Sequence, residues 1–290
     1  ELKLEKPIEV LFEGSDEDVY KPLEKDDIDS TVYKLIEDIV PEKFAFLFVG
    51  LWGKGSYGEC RKDVSKLIKI FYESFANKKK QPALILKTNG ASFSILDKED
   101  CLTKLNELKS HFPSDWKLPN VYLLHGEFTD SEMNSLYNHP KIKCMVSITH
   151  GEGYGRPLQE ATMTGLPVLA SEWSGQLDFL DKEKSILIRG ELDTVPESQH
   201  WENIIIPESQ WFNVDENDLY KKLNYTYENK YEIKNKAKGL MYNNREKFTL
   251  NKMVQKLDKI MKQYTKDLPQ QVSIKLPKLK KSTPKLEETV

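Results

Sequence analysis

Cysteine is scarce in this sequence. Cys60, Cys101 and Cys144 are the only three cysteines among 290 residues. Their spacing fits neither a disulfide framework nor a zinc motif. This usage favours a reducing compartment, so we expect a cytoplasmic protein that has no metal centre.

Long apolar runs and an excess of one charge are also lacking. The formal net charge is only −3, which gives no electrostatic footprint for nucleic acid. No apolar run approaches the roughly 20 residues of a transmembrane helix, and no signal peptide is visible. The chain begins with Glu1 instead of Met, so its natural start is left open. With 39% hydrophobic and 31% charged residues, the composition predicts a soluble globular chain that can bury a core.

The most informative stretch of the sequence is 145–175. It opens with an apolar run that is typical of a buried parallel strand. Pro157 suits the first turn of a helix, which we place over 158–164. A second apolar run, 166–170, predicts the next strand. Between the first strand and the helix, three glycines at alternate positions leave the backbone bare: Gly151, Gly153 and Gly155.

Two acidic residues frame this predicted helix. Parallel strands bridged by a helix cross over right-handed, so the loop at the end of the first strand feeds a helix N-terminus, a common phosphate site. Glu152 lies in that loop and Glu160 about one turn into the helix. Both carboxylates can reach a ligand over the helix N-terminus and accept hydrogen bonds from vicinal hydroxyls. That both acids are merely solvated remains an open alternative.

The segment EGYGRPLQEATMTGLPV, followed by WSG, resembles the E-x7-E signature of retaining GT-B glycosyltransferases of the family 4 type. The resemblance covers roughly residues 9–262 and corresponds to the C-terminal, nucleotide-sugar-binding half of these enzymes. It implies an α/β fold with a doubly wound, Rossmann-like parallel sheet. The N-terminal half of the family has no counterpart in this sequence.

The resemblance also implies roles for individual residues. Glu152, the implied catalytic residue, would hold hydroxyls of the donor sugar, and Glu160 would hold the ribose. Lys62, helped by Arg61, would grip the diphosphate, although two solvated cations are the alternative. The backbone of 124–128 would line the base pocket. The remaining implied donor-binding residues are Leu124, His125, His150, Gly153, Tyr154, Gly155, Arg156 and Leu158.

The implied reaction transfers a sugar from a nucleotide-diphospho-sugar to a carbohydrate or glycoconjugate acceptor, with retention and without a metal or a further cofactor. In this family, acceptor groups lie on the other half. We therefore expect this chain alone to be catalytically incomplete, with an N-terminal GT-B half as a candidate partner. A non-catalytic subunit that binds a nucleotide-sugar is the first alternative.

An NAD(P)-dependent oxidoreductase is the second alternative, and it rests on the pattern Gly53-x-Gly55-x-x-Gly58. Residues 59–62 separate this pattern from the next predicted helix. The strand that follows ends at Lys87 and carries no acid for a ribose. The pattern is better interpreted as a loop over a ligand.

The sequence divides into three parts: a leading segment (1–43), a Rossmann-like domain with C-terminal helices (44–266), and a Pro/Lys-rich tail, disordered or docking (267–290). The leading segment contains a predicted strand at Ile8–Phe12, an acidic turn and a helix. Residues 190–213 are expected to be irregular and buried on the domain by Trp201 and Trp211. The other predicted strands are 44–50, 83–87, 121–124 and 185–188, and the other helices are 29–40, 63–76, 102–108, 129–137, 215–228, 232–247 and 249–264.

Overall fold

A computed structural model describes residues 6–53, 55 and 57–266 of the protein. The predicted tail 267–290 lies outside the described residues. Six parallel strands form the central sheet: Ala45–Leu51 (β1), Ala83–Asn89 (β2), Val121–Leu124 (β3), Ile142–Ser147 (β4), Val168–Ser171 (β5) and Ile186–Ile188 (β6). Their spatial order is β3-β2-β1-β4-β5-β6. The order reverses between β1 and β4, which makes the sheet doubly wound.

Helices cover both faces of this sheet. They are Ser30–Ile39 (α1), Val64–Phe75 (α2), Ile95–Ser110 (α3), Asp130–Asn138 (α4), Arg156–Met163 (α5), Glu216–Glu228 (α6), Lys230–Lys247 (α7) and Leu250–Thr265 (α8). An antiparallel ribbon, Gly190–Thr194 (β7) and Gln210–Val214 (β8), stands outside the sheet. No helix of the described residues is long and apolar enough to cross a membrane.

Alternation along β1 divides the interior into two cores. Phe46 and Phe48 join the core shared with α2 and α6, whereas Ala45 and Leu47 join the core shared with α1, α5 and α7. All four residues are fully buried. Successive side chains of a strand point to opposite faces, so a continuous apolar run fits a strand that has helices on both sides.

Most of the predicted elements are confirmed, with boundaries shifted by a few residues. Helix α4 begins with a capping box, in which the Thr129 hydroxyl accepts from the Glu132 N–H and the Glu132 side chain accepts from the Thr129 N–H. Gly165 follows α5 with φ +75°, the left-handed conformation in which glycine commonly ends a helix. Helix α3 is longer than predicted, because the Ser94 hydroxyl caps it seven residues earlier, at the Asp97 N–H.

Two predictions about exposed segments are wrong. Residues 8–12 form no strand, and Ile8 and Val10 are about 70% exposed. No strand among the described residues pairs with this segment. Residues 190–213 form the β7–β8 ribbon at their two ends and contain no strand between 195 and 209. Trp201 does not bury the segment, because it is 64% exposed. Trp211 is half-buried, and it packs on the loop after β4 instead of anchoring the whole segment.

The leading segment is fastened to the domain by the side chain of Gln159 in α5. Its amide donates to the carbonyls of Glu13 and Phe248, at 3.0 and 3.2 Å, and to the Tyr154 hydroxyl at 2.8 Å. Its oxygen accepts from the Ser15 hydroxyl at 2.7 Å. Gln159 is buried, so one amide satisfies polar groups from three separate stretches of chain.

We predict that Gln159→Ala lowers the free energy of unfolding by roughly 2–4 kcal/mol, because it removes four hydrogen bonds, two of which satisfy the hydroxyls of the buried residues Ser15 and Tyr154. Denaturant unfolding measures this difference. Gln255→Ala, at an exposed position of α8, is the matched control and should change stability by no more than about 0.5 kcal/mol. Equal effects of the two substitutions would contradict this role for Gln159.

Candidate functional site

The candidate site lies at the carboxyl ends of β1 and β4. These strands are neighbours in the sheet, and the strand order reverses between them. In open α/β sheets, ligands bind in the crevice beside such a reversal. The loop after β1 contributes Arg61 and Lys62, and the loop after β4 contributes Glu152.

Hydrogen bonds join these two loops at Arg61. Its carbonyl accepts from the His150 N–H at 2.9 Å and from the Thr149 hydroxyl at 3.2 Å. Its guanidinium donates to the Gly151 carbonyl at 2.7 Å. One of these bonds joins two backbone atoms, and the other two use the Thr149 hydroxyl and the Arg61 guanidinium. Backbone and side chains together therefore fix the relative position of the loops.

The junction brings Lys62 and Glu152 together as an ion pair. The Lys62 ammonium contacts Oε1 of Glu152, while Nη1 of Arg61 lies 3.5 Å from Oε2. Only 13% of the Lys62 side chain and 11% of the Glu152 side chain are exposed, against 55% for Arg61. Burial, followed by the charge of Arg61, lowers the pKa of Lys62; the Glu152 carboxylate acts in the opposite direction. Lys62 is therefore a mostly buried, paired cation and not a solvated one.

The glycine loop leads directly into α5. Gly155 is the N-cap residue at φ +95°, and the first turn of α5 has no side-chain cap. Gly153 and Arg156 are exposed at this end, whereas Tyr154 and Leu158 are buried in the core beneath it. The helix therefore presents backbone and Arg156 to the crevice, and its apolar side chains anchor it.

The loop after β5 closes against the glycine loop. The Ser174 hydroxyl donates to the Glu152 carbonyl at 2.6 Å. A Cβ atom on Gly175 would lie 2.0 Å from the Gly153 carbonyl oxygen, so this close approach requires glycine. The WSG sequence thus supports the backbone of Glu152.

Glu160 lies inside α5 and is mostly buried. The Tyr137 hydroxyl donates to its Oε2 at 3.2 Å, and Nη2 of Arg156 lies 3.6 Å from Oε1. Burial raises the pKa of Glu160, and the Arg156 charge opposes this only in part. Glu160 also lines a cavity of about 320 Å³ together with Tyr20 and Asp130. It is a carboxylate with spare acceptor capacity, placed next to open space.

His125 lies at the end of β3 and is held by Asp97, a residue that sequence reasoning missed. Its Nε2 lies 2.9 Å from Oδ2 of Asp97. The same carboxylate accepts from the N–H groups of Gly90, at 2.9 Å, and Ala91, at 2.8 Å. Burial alone would raise the pKa of Asp97, but these hydrogen bonds lower it well below its ordinary value. Asp97 therefore fixes the loops after β2 and β3 at the predicted base pocket, beside the buried Leu124.

Lys87 is a second residue that was missed as part of the site. Its ammonium donates to the Gly126 carbonyl at 2.6 Å and lies 4.8 Å from the ring centre of Phe128 and 5.7 Å from that of Phe93. Burial lowers its pKa. The only sequence signal was a lysine near the end of an apolar strand, where a side chain reaches the crevice edge.

The structure places His150 inside the protein. Nδ1 lies 2.8 Å from the Phe212 carbonyl, Nε2 lies 3.2 Å from the Gly58 carbonyl, and the ring stacks on Trp211 at 3.9 Å. Asp63 approaches Nε2 at 3.4 Å. Burial lowers the pKa of His150. Its ring ties together the two loops and the ribbon, and its contact with a ligand stays a prediction.

Comparison with known proteins places the fold. No protein-family model matches the sequence, and no curated protein matches it. Among solved structures, HepE from Anabaena, in complex with UDP and glucose, is similar at 16% identity and a TM-score of 0.57, covering 88% of this chain and 57% of HepE. Sucrose-phosphate synthase from Thermosynechococcus elongatus is similar at 15% identity and a TM-score of 0.55, covering 87% of this chain and 51% of the synthase.

The C-terminal domain of LpcC, a group 1 family glycosyltransferase from Francisella tularensis, is similar at 15% identity and a TM-score of 0.52, covering 82% of this chain and all of that domain. This chain thus spans little more than half the length of HepE and of the synthase but matches the isolated domain throughout. At these identities the likeness concerns the fold. The protein has the α/β, Rossmann-like fold of GT-B glycosyltransferase domains.

We predict that Asp97→Asn lowers the free energy of unfolding by about 1–3 kcal/mol at neutral pH, because it weakens charged hydrogen bonds. The pKa of Asp97 is lowered in the folded protein, so its contribution is present above the ordinary aspartate pKa and is lost as the pH falls. The difference in the free energy of unfolding between parent and variant should therefore become smaller below about pH 4. Denaturant unfolding across this pH range measures it.

Asp100→Asn is the matched control, because Asp100 lies on the same helix but is more than half exposed and paired with Lys104. We expect little effect at any pH. A cost of Asp97→Asn that did not change with pH would show that the carboxylate charge is not what holds these loops.

Proposed function

We propose that this chain binds a nucleotide-diphospho-sugar and forms the donor-binding half of a retaining glycosyltransferase of the GT-B, family 4 type. The observation that carries the proposal is the arrangement around the N-terminus of α5. The Lys62–Glu152 pair lies at the strand-order reversal, and Glu160 is buried one turn into the helix. A cation and two acceptors at this position match the three parts of such a donor.

Each group has a chemical role in the proposed reaction. Lys62 and the uncapped N-terminus of α5 would hold the diphosphate and stabilise the charge that develops on it as the glycosidic bond breaks. Glu152 would accept hydrogen bonds from the donor sugar, and Glu160 would accept them from the ribose. Positioning and electrostatics would supply most of the acceleration.

The resting Lys62–Glu152 pair has a consequence for binding. Lys62 is already neutralised by Glu152, so a diphosphate must share this cation with the carboxylate. Hydroxyl groups of a bound sugar would give Glu152 new partners and free Lys62 for the phosphates. An intact nucleotide-sugar would therefore bind better than the nucleoside diphosphate alone.

We further propose that an N-terminal half supplies the acceptor site. HepE is about one and a half times as long as this chain, since 88% of this chain covers 57% of HepE. Helix α8 carries exposed apolar side chains at helical spacing, namely Val254, Leu257, Met261 and Tyr264. An apolar stripe of this kind is suited to packing against another domain.

UDP-glucose is the first donor to test, because HepE has been crystallised with UDP-glucose and with UDP and glucose. We expect calorimetry to detect UDP-glucose binding that EDTA leaves unchanged, since the proposed site holds phosphate with a lysine and a helix N-terminus. If neither UDP-glucose nor a series of GDP-, ADP- and TDP-sugars bound, the proposed function would be wrong.

We predict that Glu152→Ala removes the preference for nucleotide-sugar over nucleoside diphosphate. The variant should bind UDP at least as tightly as the parent, because Lys62 is released. It should bind UDP-glucose about tenfold to a hundredfold more weakly, because a charged acceptor of sugar hydroxyls is lost. Calorimetry with both ligands measures the ratio, and Glu191→Ala on the exposed strand β7 is the control. Equal losses for the two ligands would refute the sugar-binding role.

We predict that Glu160→Gln weakens both ligands by about tenfold while leaving the protein as stable as before, or more so. The pKa of Glu160 is raised by burial, so its ionised form opposes folding at neutral pH. A neutral amide of the same size removes that cost. The stability advantage of the variant over the parent should become smaller as the pH falls towards about 4, because Glu160 of the parent is then protonated. Thermal unfolding and calorimetry together test this. A variant that is less stable and binds normally would make Glu160 structural.

A further inference from the structure

A second cavity lies at the amino ends of the sheet strands, whereas the crevice lies at their carboxyl ends. It has a volume of about 630 Å³ and is lined at the amino ends of β1, β4 and β5 and by the start of α7. One carboxylate, Glu24, contributes to its lining. Against it stand five lysines: Lys43, Lys143, Lys230, Lys234 and Lys238.

These lysines differ from the paired lysines elsewhere in the protein. Lys62, Lys66 and Lys222 each contact a carboxylate. Among the described residues, no carboxylate lies within 4.0 Å of any of the five cavity amines. Lys143 is half-buried, and the other four lysines are exposed. Five positive charges thus line one concave space whose lining includes a single carboxylate, Glu24.

Their arrangement works against the stability of the empty protein. Lys230, Lys234 and Lys238 follow at intervals of four residues along α7, and like charges at this spacing repel one another on a helix. Burial, followed by the charge of Lys230, lowers the pKa of Lys143. Burial, followed by the charges of Lys238 and Lys143, lowers the pKa of Lys234. The amines from β4 and α7 therefore act on the same space.

The backbone fixes one of these amines. Asn229 ends α6 and also begins α7, so the opposite dipole ends of the two helices offset each other there. The Lys234 ammonium donates to the Gly165 carbonyl at 2.9 Å, which positions one amine at the wall next to β5. The arrangement does not depend on freely moving surface side chains alone.

We propose that this cavity binds a small anion that carries two or more phosphate groups. A multivalent anion would neutralise several amines at once and relieve their repulsion. A single monovalent anion would leave most of this repulsion in place. The volume suits a compact ligand, and the net charge of −3 for the whole chain argues against a general affinity for polyanions. The site is distinct from the donor crevice, because it lies at the other end of the strands.

The test uses tripolyphosphate as the probe, with thermal unfolding and calorimetry as readouts. A ligand that binds only the folded state raises the melting temperature, and we expect tripolyphosphate to do so where equimolar inorganic phosphate has little effect. Lys234→Gln/Lys238→Gln should bind tripolyphosphate about tenfold or more weakly. Without the anion, this variant should unfold at the same or a higher temperature than the parent, because repulsion is removed.

Two controls separate this site from others. Lys236→Gln/Lys259→Gln removes the same charge; Lys236 lies on α7 between the cavity lysines but pairs with Glu232 at 2.7 Å. This variant should bind tripolyphosphate like the parent. Lys62→Met removes the proposed phosphate-binding cation of the donor crevice, so tripolyphosphate binding that persists in this variant but is lost in Lys234→Gln/Lys238→Gln belongs to the cavity. An equal response of all variants, or one that follows Lys62, would overturn the proposal.

A phosphate-rich ligand can be free or can be a lipid headgroup. Vesicles of phosphatidylcholine, with or without phosphatidylinositol bisphosphate, distinguish these sources. Sedimentation with the phosphoinositide vesicles that is lost in Lys234→Gln/Lys238→Gln would assign a lipid headgroup. Binding of tripolyphosphate without sedimentation would assign a free anion. Absence of both would refute the site.

Discussion

The junction between the loops after β1 and β4 is the contact on which the rest of the candidate site depends. The Arg61 carbonyl is hydrogen bonded to Thr149 and His150, and the two strands that lead into these loops are adjacent. This adjacency exists only where a doubly wound sheet reverses its order. Two residues that are 90 positions apart, Lys62 and Glu152, therefore meet.

Much of the fold could be predicted because its signals are local. Buried parallel strands are continuous apolar runs such as 44–50, and helix ends carry caps such as Thr129 and Gly165. The same locality placed Glu152 and Glu160 at one helix, since both lie within a single strand–loop–helix unit. The predicted strand Ile8–Phe12 is wrong because an apolar segment becomes a strand only when another strand pairs with it, and no strand in the described part of the chain does so.

The partners of the site residues could not be predicted, because they come from distant parts of the chain. Asp97 reaches His125 across 28 residues, and Tyr137 reaches Glu160 from another helix. Lys87 is buried between aromatic rings that sequence spacing does not bring together. Such contacts are set by the three-dimensional packing, which fixes which loops meet at the sheet edge and how deeply each charge is buried.

A parallel sheet has a direction, because every strand runs the same way. The domain therefore has an end that carries the amino ends of the strands and an end that carries their carboxyl ends. Strand β1 contains seven residues, so its ends are separated by about 20 Å at roughly 3.3 Å per residue. The lysine-lined cavity and the crevice open at opposite ends of that distance. A chain held at the amino ends of its strands would thus have the crevice facing away from the attachment. The crevice would then be open to a donor from solution and to an acceptor bound to another domain or molecule.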